Sequence, residues 1–254
     1  MSPKSPRLLA LASMSLVTLA AAGEADAKGK KASLPVIGVV TEGIAERLHQ
    51  PKGKKAKKAI KNDIGKSFPA VCDGSVGQYK VTDLGDDGAW VGGFANGYKP
   101  KRCLLVAAGA DTVAAAKGRP SAKPEQLNAA KAAAVAALTP KKGEPPAPNK
   151  VELAVFHDGD SFVAVASTTR SAGDKSACLD LTSLVILAEG EDGKWKEAFR
   201  PQAKTKGTCG YSFFTRGDVD GDGRDEIALR VDLTDGYAYR VLKHGKKGYD
   251  VVVK

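Results

Sequence analysis

Toward the C-terminus, apolar and polar positions alternate in short runs: Phe162 to Ser167, Leu184 to Leu187, Trp195 to Phe199, Ser212 to Thr215, Ile227 to Val231, Tyr237 to Lys243 and Tyr249 to Val253. Alternation with period two places successive side chains on opposite faces of a strand. Asp192-Gly193, Asp235-Gly236 and Lys247-Gly248 fall between several of these runs, and such dipeptides accept the positive φ of a tight hairpin turn. The pattern predicts an antiparallel meander. In its final hairpin Tyr237, Tyr239 and Val241 share one face while Ala238, Arg240 and Leu242 share the other, so at least one face must be covered by protein.

A different period appears in the middle of the chain. Glu125 to Leu138 is alanine-rich, Pro124 stands where a first helical turn tolerates it, and Leu127, Ala130, Ala134 and Leu138 fall along one face. Gly118, Pro120, Pro140, Gly143, Pro145, Pro146 and Pro148 break the chain around this helix, so residues 111–150 read as an Ala/Pro-rich helical linker. The small side chains of the stripe suit contact with a neighbouring domain. At the start, Lys4 and Arg7 precede an apolar stretch from Leu8 to Ala22, and Ala25-Asp26-Ala27 follows as a small-x-small cleavage site. Residues 1–27 are thus expected to be an export signal, with a mature chain beginning at Lys28 and located in the periplasm or outside the cell.

Export changes the meaning of the cysteines. Cys72, Cys103, Cys178 and Cys209 are even in number and lack the close pairs of a zinc site, which predicts two disulfides. Equal spacing favours Cys72 with Cys103 and Cys178 with Cys209. The same register recurs in Gly85-Asp86-Asp87-Gly88-Ala89-Trp90, ending in Phe94, and Gly190-Glu191-Asp192-Gly193-Lys194-Trp195, ending in Phe199. Each half is therefore expected to hold a β-hairpin clamped by a disulfide, as in a diverged duplication. The resulting fold class is mainly β: antiparallel hairpins in two disulfide-clamped halves, residues 67–110 and 151–254, joined by the helical linker.

The chain has 43% apolar side chains and a formal net charge of +10, so it has enough apolar material for a packed core and an excess of cationic charge. That excess is local. Residues 28–66 carry eleven Lys and Arg against three acids, whereas residues 151–254 carry fifteen basic and seventeen acidic side chains. Lys52, Lys54, Lys55, Lys57, Lys58 and Lys61 crowd one stretch, with Ala56, Ile60 and Ile64 at helical spacing, giving a basic arm or short helix over 28–66. Polyanions, including phosphate-bearing envelope components, are partners it could meet; a solvated arm is the plainer alternative. No aromatics are interleaved to stack on bases, which argues against specific nucleic-acid recognition.

The densest chemistry is Gly217-Asp218-Val219-Asp220-Gly221-Asp222-Gly223-Arg224-Asp225-Glu226-Ile227. With Asp218 as the first position, side-chain oxygens recur at Asp220 and Asp222, the Arg224 carbonyl and Glu226 extend the set, and Gly223 permits the reversal between them. Such crowded carboxylates repel one another without a cation, and the pattern points to Ca²⁺. An EF-hand fits less well, because Leu229 stands where its bidentate glutamate belongs and a strand follows at once. Asp218 to Leu229 resembles the loop of FG-GAP and VCBS repeats, found also in integrin-like blades, in which D-x-D-G-D-G-x-x-D/E runs directly into a β-strand. The resemblance covers residues 211–254 and implies a Ca²⁺ loop tying adjacent strands in a secreted β-rich protein of adhesion or ligand display. The sequence has one such loop, and it is too short for a complete propeller.

His49, His157 and His244 form no metalloprotease pair, and nucleophile-elbow, dinucleotide and phosphate-loop motifs are missing from the sequence. His157-Asp158-Gly159-Asp160 reads as a hairpin turn. Two function classes follow: a non-catalytic, calcium-binding, exported binding or structural module, or a hydrolase of cell-envelope polymers using acids of the C-terminal sheet.

Overall fold

The computed structural model describes residue 34 and residues 36–48, 61–86, 89–107, 119–140, 145–172, 176–202, 207–245 and 248–253. The expected export signal and nearly all of the lysine run from Lys52 to Lys61 lie outside these residues.

Six strands form a closed, fully antiparallel barrel: β1 (Val36–Thr41), β2 (Ile44–Arg47), β3 (Ser67–Cys72), β4 (Ser75–Leu84), β5 (Trp90–Phe94) and β6 (Arg102–Val106). Around the barrel the order is β1-β2-β5-β4-β3-β6, with β6 closing back onto β1. Two-residue turns join the first two hairpins, Glu42-Gly43 with φ of 50° and 89° and Asp73-Gly74 with φ of 47° and 80°. Positive φ at both positions matches the twist of the flanking strands. Val40, Ala45, Phe68, Tyr79, Trp90 and Leu105 fill the interior, together with Cys72 and Cys103, which are joined as a disulfide between β3 and β6. Strands β1 and β2 lie within residues 28–66, so the segment expected to be a basic arm or short helix supplies part of the barrel. Its lysine count obscured the apolar run Val36-Ile37-Gly38-Val39-Val40.

The second half is an open sheet of β7 (Val151–Asp158), β8 (Ser161–Ser171), β9 (Asp180–Glu189), β10 (Trp195–Phe199), β11 (Thr208–Gly217), β12 (Glu226–Leu233), β13 (Gly236–Gly245) and β14 (Gly248–Val253). The order is β14-β13-β12-β11-β9-β8-β7, with β10 paired to β9. A pure meander was expected, and one join departs from it: β11 runs parallel to β9, at Gly210 opposite Thr182. The five-residue β10 covers only the second part of β9, from Ile186 to Glu189. The chain passes Arg200-Pro201 and returns to pair beside the first part of β9. Cys178, just before β9, is disulfide-bonded to Cys209 on β11.

Alternation along these strands divides their buried side chains between the two faces of the sheet. Val163, Val165, Leu184, Ile186, Ile227 and Leu229 form the core of one face. Their neighbours Ala164, Ala166, Val185 and Leu187 turn to the other face and meet Ala130, Ala134 and Leu138 of helix α1 (Pro124–Leu138). Leu127, expected on the same stripe, is 41% exposed. Farther along this face Phe214, Ala228, Tyr239 and Val241 pack against Val36, Val39, Val71, Leu104 and Val106 on the outside of the barrel. Helix and barrel thus cover opposite ends of one sheet face. Among the described residues no helix is long and apolar enough to cross a membrane.

Candidate metal centre

The acidic loop connects β11 to β12 where the barrel touches the sheet. Gly217 passes so near the barrel that a Cβ there would meet Val71 Cγ1 at 1.9 Å. Val219 is fully buried in the cluster between barrel and sheet, so the first turn of the loop is pinned by an apolar side chain. Thr215 donates to Asp73 Oδ1 at 3.0 Å and accepts the Asp73 N–H at 3.3 Å, joining the base of β11 to the barrel turn after Cys72.

Backbone donors then shape the loop around its carboxylates. Asp218 accepts Gly221 N–H on Oδ1 at 2.7 Å and Gly223 N–H on Oδ2 at 2.9 Å. Gly221 and Gly223, with φ of 75° and 85°, permit the reversal that aims both amides inward. Asp222 Oδ1 accepts Arg224 N–H at 2.9 Å, and Glu226 Oε2 accepts Val219 N–H at 2.9 Å. Asp218, Asp220 and Asp222 each present an oxygen to a common region, these atoms lying within 4.8 Å of one another. Asp220 Oδ1 is buried without a hydrogen-bond partner.

Of the five sequence-predicted ligands, the structure therefore groups the three aspartates and brings Glu226 to their edge. Arg224 contributes its backbone N–H to Asp222, and its guanidinium lies 3.9 Å from Asp160. The all-oxygen donor set, its charge and the orphaned Asp220 oxygen suit a hard divalent cation. One neighbour was not foreseen. Lys243, on β13, donates to Asp220 Oδ2, lies 2.9 Å from Asp222 Oδ2 and stands 3.7 Å from Glu226 Oε1.

The electrostatics follow from burial and this ammonium group. Burial drives the Glu226 carboxyl up to about 8, with the charges of Asp220 and Asp222 adding to the rise and the Val219 N–H opposing it. Burial also raises Asp218. For Asp222 the upward pull of burial is outweighed by Lys243 and the Arg224 N–H, which hold it below the usual carboxylate range. Lys243 loses hydration, yet its hydrogen bonds to Asp220 and Asp222 raise its pKa. Because the folded pKa of Glu226 is above its ordinary 4.5, its contribution to stability is complete below that value and is lost as pH rises through about 8. Thermal melting in chelator is expected to fall across this window, and Glu226→Gln should flatten the fall; an unchanged slope in the variant would place the titration elsewhere.

A second, structural set of charges surrounds the loop. Asp225, whose side chain is 0% exposed, receives Arg119 Nη1 at 2.7 Å on Oδ1 and Arg216 Nη1 on Oδ2. Arg119 also donates to the carbonyls of Gly223 and His157, and Arg216 stacks over Phe156 at 4.2 Å. Asp158 is the last residue of β7, next to the expected turn into β8. It accepts Asp225 N–H at 2.6 Å and the Tyr249 hydroxyl at 3.0 Å, while burial and this carboxylate push the Tyr249 pKa up. Both oxygens of each aspartate are thus engaged in holding the loop to the linker and to the sheet. The sequence signal for this set was only an extra acid beside Glu226 and an arginine after the linker glycine.

Comparison with family models, curated proteins and solved structures finds no match for the chain.

Proposed function

We propose that this protein is an exported, calcium-binding, disulfide-stabilised β-rich module with a binding or structural role rather than a catalytic one. The observation that carries the reading is the convergence of Asp218, Asp220 and Asp222 around a buried oxygen of Asp220 that has no partner. Asp218, Asp220, Asp222, the Arg224 carbonyl and Glu226 would hold the ion. Its contribution would be charge: a divalent cation neutralises carboxylates that otherwise repel one another, and so favours the loop conformation that joins β11 to β12. Since Val219 and Thr215 dock this loop on the barrel and Arg119 ties it to the linker, the ion would stabilise the junction of all three parts. The two disulfides suit an oxidising compartment, where calcium is abundant. An envelope polyanion or another extracellular ligand is the partner class proposed for the basic segment.

The test is thermal and chemical unfolding of the protein in calcium, magnesium and chelator. With affinity on the order of 10⁻⁵ to 10⁻³ M expected for such a short loop, calcium at about 100 times its dissociation constant should add roughly 2.7 kcal/mol. Magnesium, which demands octahedral geometry, should add much less, and Asp222→Ala should abolish the calcium effect. Equal stability of the wild type in calcium and in chelator would sink the reading.

A further inference from the structure

Lys243 lies opposite the end of the acidic loop because β13 pairs with β12 in a register that sets Leu242 against Ile227. Leu242 turns to the apolar core of one sheet face, whereas Val241 joins the face that meets the barrel. Lys243 therefore reaches the loop from the strand next to its own exit strand, with the stem partly covered and the side chain 29% exposed. An ammonium carries three donors and no acceptor. Here it faces three carboxylates, Asp220, Asp222 and Glu226, and the last of these is 1% exposed with Oε1 beyond hydrogen-bond range at 3.7 Å.

We infer that Lys243 is the resident counter-cation of the acidic loop, and that a divalent ion entering the cluster must compete with its ammonium group for Asp220 and Asp222. The inference rests on the calcium reading above and adds to it a residue that sets affinity. Charge balance supports both halves. One positive charge cannot neutralise Asp218, Asp220 and Asp222, so the cluster retains an attraction for a second cation. It does reduce their mutual repulsion, so the loop has a means of keeping its shape when calcium is scarce. The ammonium is tethered to β13, and its effective concentration at the cluster is high. Calcium affinity should consequently be lower than the number of carboxylates alone would produce, and the loop should respond to calcium over a range set by this internal competitor.

Two measurements on the full protein test this. By calorimetric titration Lys243→Met, which keeps the length of the stem and removes its charge, should bind calcium about tenfold or more tightly than the wild type. The variant should also melt at a lower temperature in chelator and show the larger calcium-induced rise. The second measurement uses the wild-type protein and so does not depend on the variant folding. Amine acetylation followed by mass spectrometry should find Lys243 protected in chelator and several-fold more reactive in saturating calcium, with the exposed Lys194, at 78%, as the unchanging control. Calcium binding of equal affinity in wild type and Lys243→Met, or calcium binding to the wild type with no gain in Lys243 reactivity, overturns the competition and leaves the metal site standing. Calcium binding by neither protein removes the calcium reading, and the competition with it.

Discussion

Asp225→Ala is expected to lower the stability of the protein by about 3–5 kcal/mol, the cost of breaking a buried ion pair by removing one partner. The carboxylate is completely buried, and each of its oxygens receives a different arginine, Arg119 from the linker and Arg216 from β11. Both arginine side chains are only 19% exposed, so deletion leaves two cations close together with incomplete hydration. Their residual exposure places the result toward the lower end of the range. Asp225→Asn separates charge from shape: it retains hydrogen-bonding oxygen on one side, loses the anion, and should fall between wild type and alanine. Urea unfolding measures all three proteins. A loss below about 1 kcal/mol in Asp225→Ala, the size typical of an exposed pair, would mean that the arginines find water without strain and that the linker is not held here.

This residue also shows why the site was only partly legible. The spacing of Asp218, Asp220 and Asp222 is local, and a loop that short can fold around only a small region, so the sequence announced the convergence of their oxygens. Asp225 has the same chemistry and stands beside Glu226, yet it turns the other way, toward Arg119 more than a hundred positions earlier in the chain. Lys243 was hidden for the same reason. Its place depends on how β13 registers against β12, and a strand pairing slipped by one residue would have sent it to the opposite face. Local oxygen density could be read from the sequence, whereas the cations that answer it come from elements brought in by tertiary pairing.

The fold divides along similar lines. Disulfide pairing, the helix and its buried alanines, and the alternation of Tyr239 and Val241 against Leu242 are properties of spacing, and the structure has them. The matched tryptophan segments form equivalent hairpins: Gly85 N–H reaches the Ala89 carbonyl at 2.8 Å and Gly190 N–H the Lys194 carbonyl at 2.8 Å. Trp90 then faces Leu84 as Trp195 faces Glu189. Beyond the hairpin the likeness ends, because one tryptophan strand is closed into a barrel and the other is a short ribbon on an open sheet. Barrel closure needs β6 to return between β3 and β1, a long-range choice that no local pattern encodes.

That difference predicts unequal consequences for the same substitution. Trp90→Ala should cost about 3–5 kcal/mol, as expected for removing a large aromatic from a packed core. Its ring is fully buried, stacks on Phe68 at 4.8 Å and lies under the Arg47 guanidinium at 4.6 Å. The interior around it is tied by the Cys72–Cys103 disulfide and by Tyr79, whose hydroxyl bonds the carbonyls of Gly43 and Trp90, so the walls have little freedom to collapse into the space. Trp195, the first residue of β10, is half-buried against the α1 layer, so less packed surface is lost on truncation and Trp195→Ala should cost about 1–2 kcal/mol. Trp90→Phe guards against a variant too unstable to measure. Trp90 Nε1 is buried without a hydrogen-bond partner, so phenylalanine gives up volume but also removes an orphaned donor, and its cost should be less than half that of alanine. Denaturant unfolding, read by the remaining tryptophan in each variant, decides the order. Equal losses at positions 90 and 195 would show that the two hairpins sit in equivalent surroundings in solution, and that the barrel core is not the more rigid of the two.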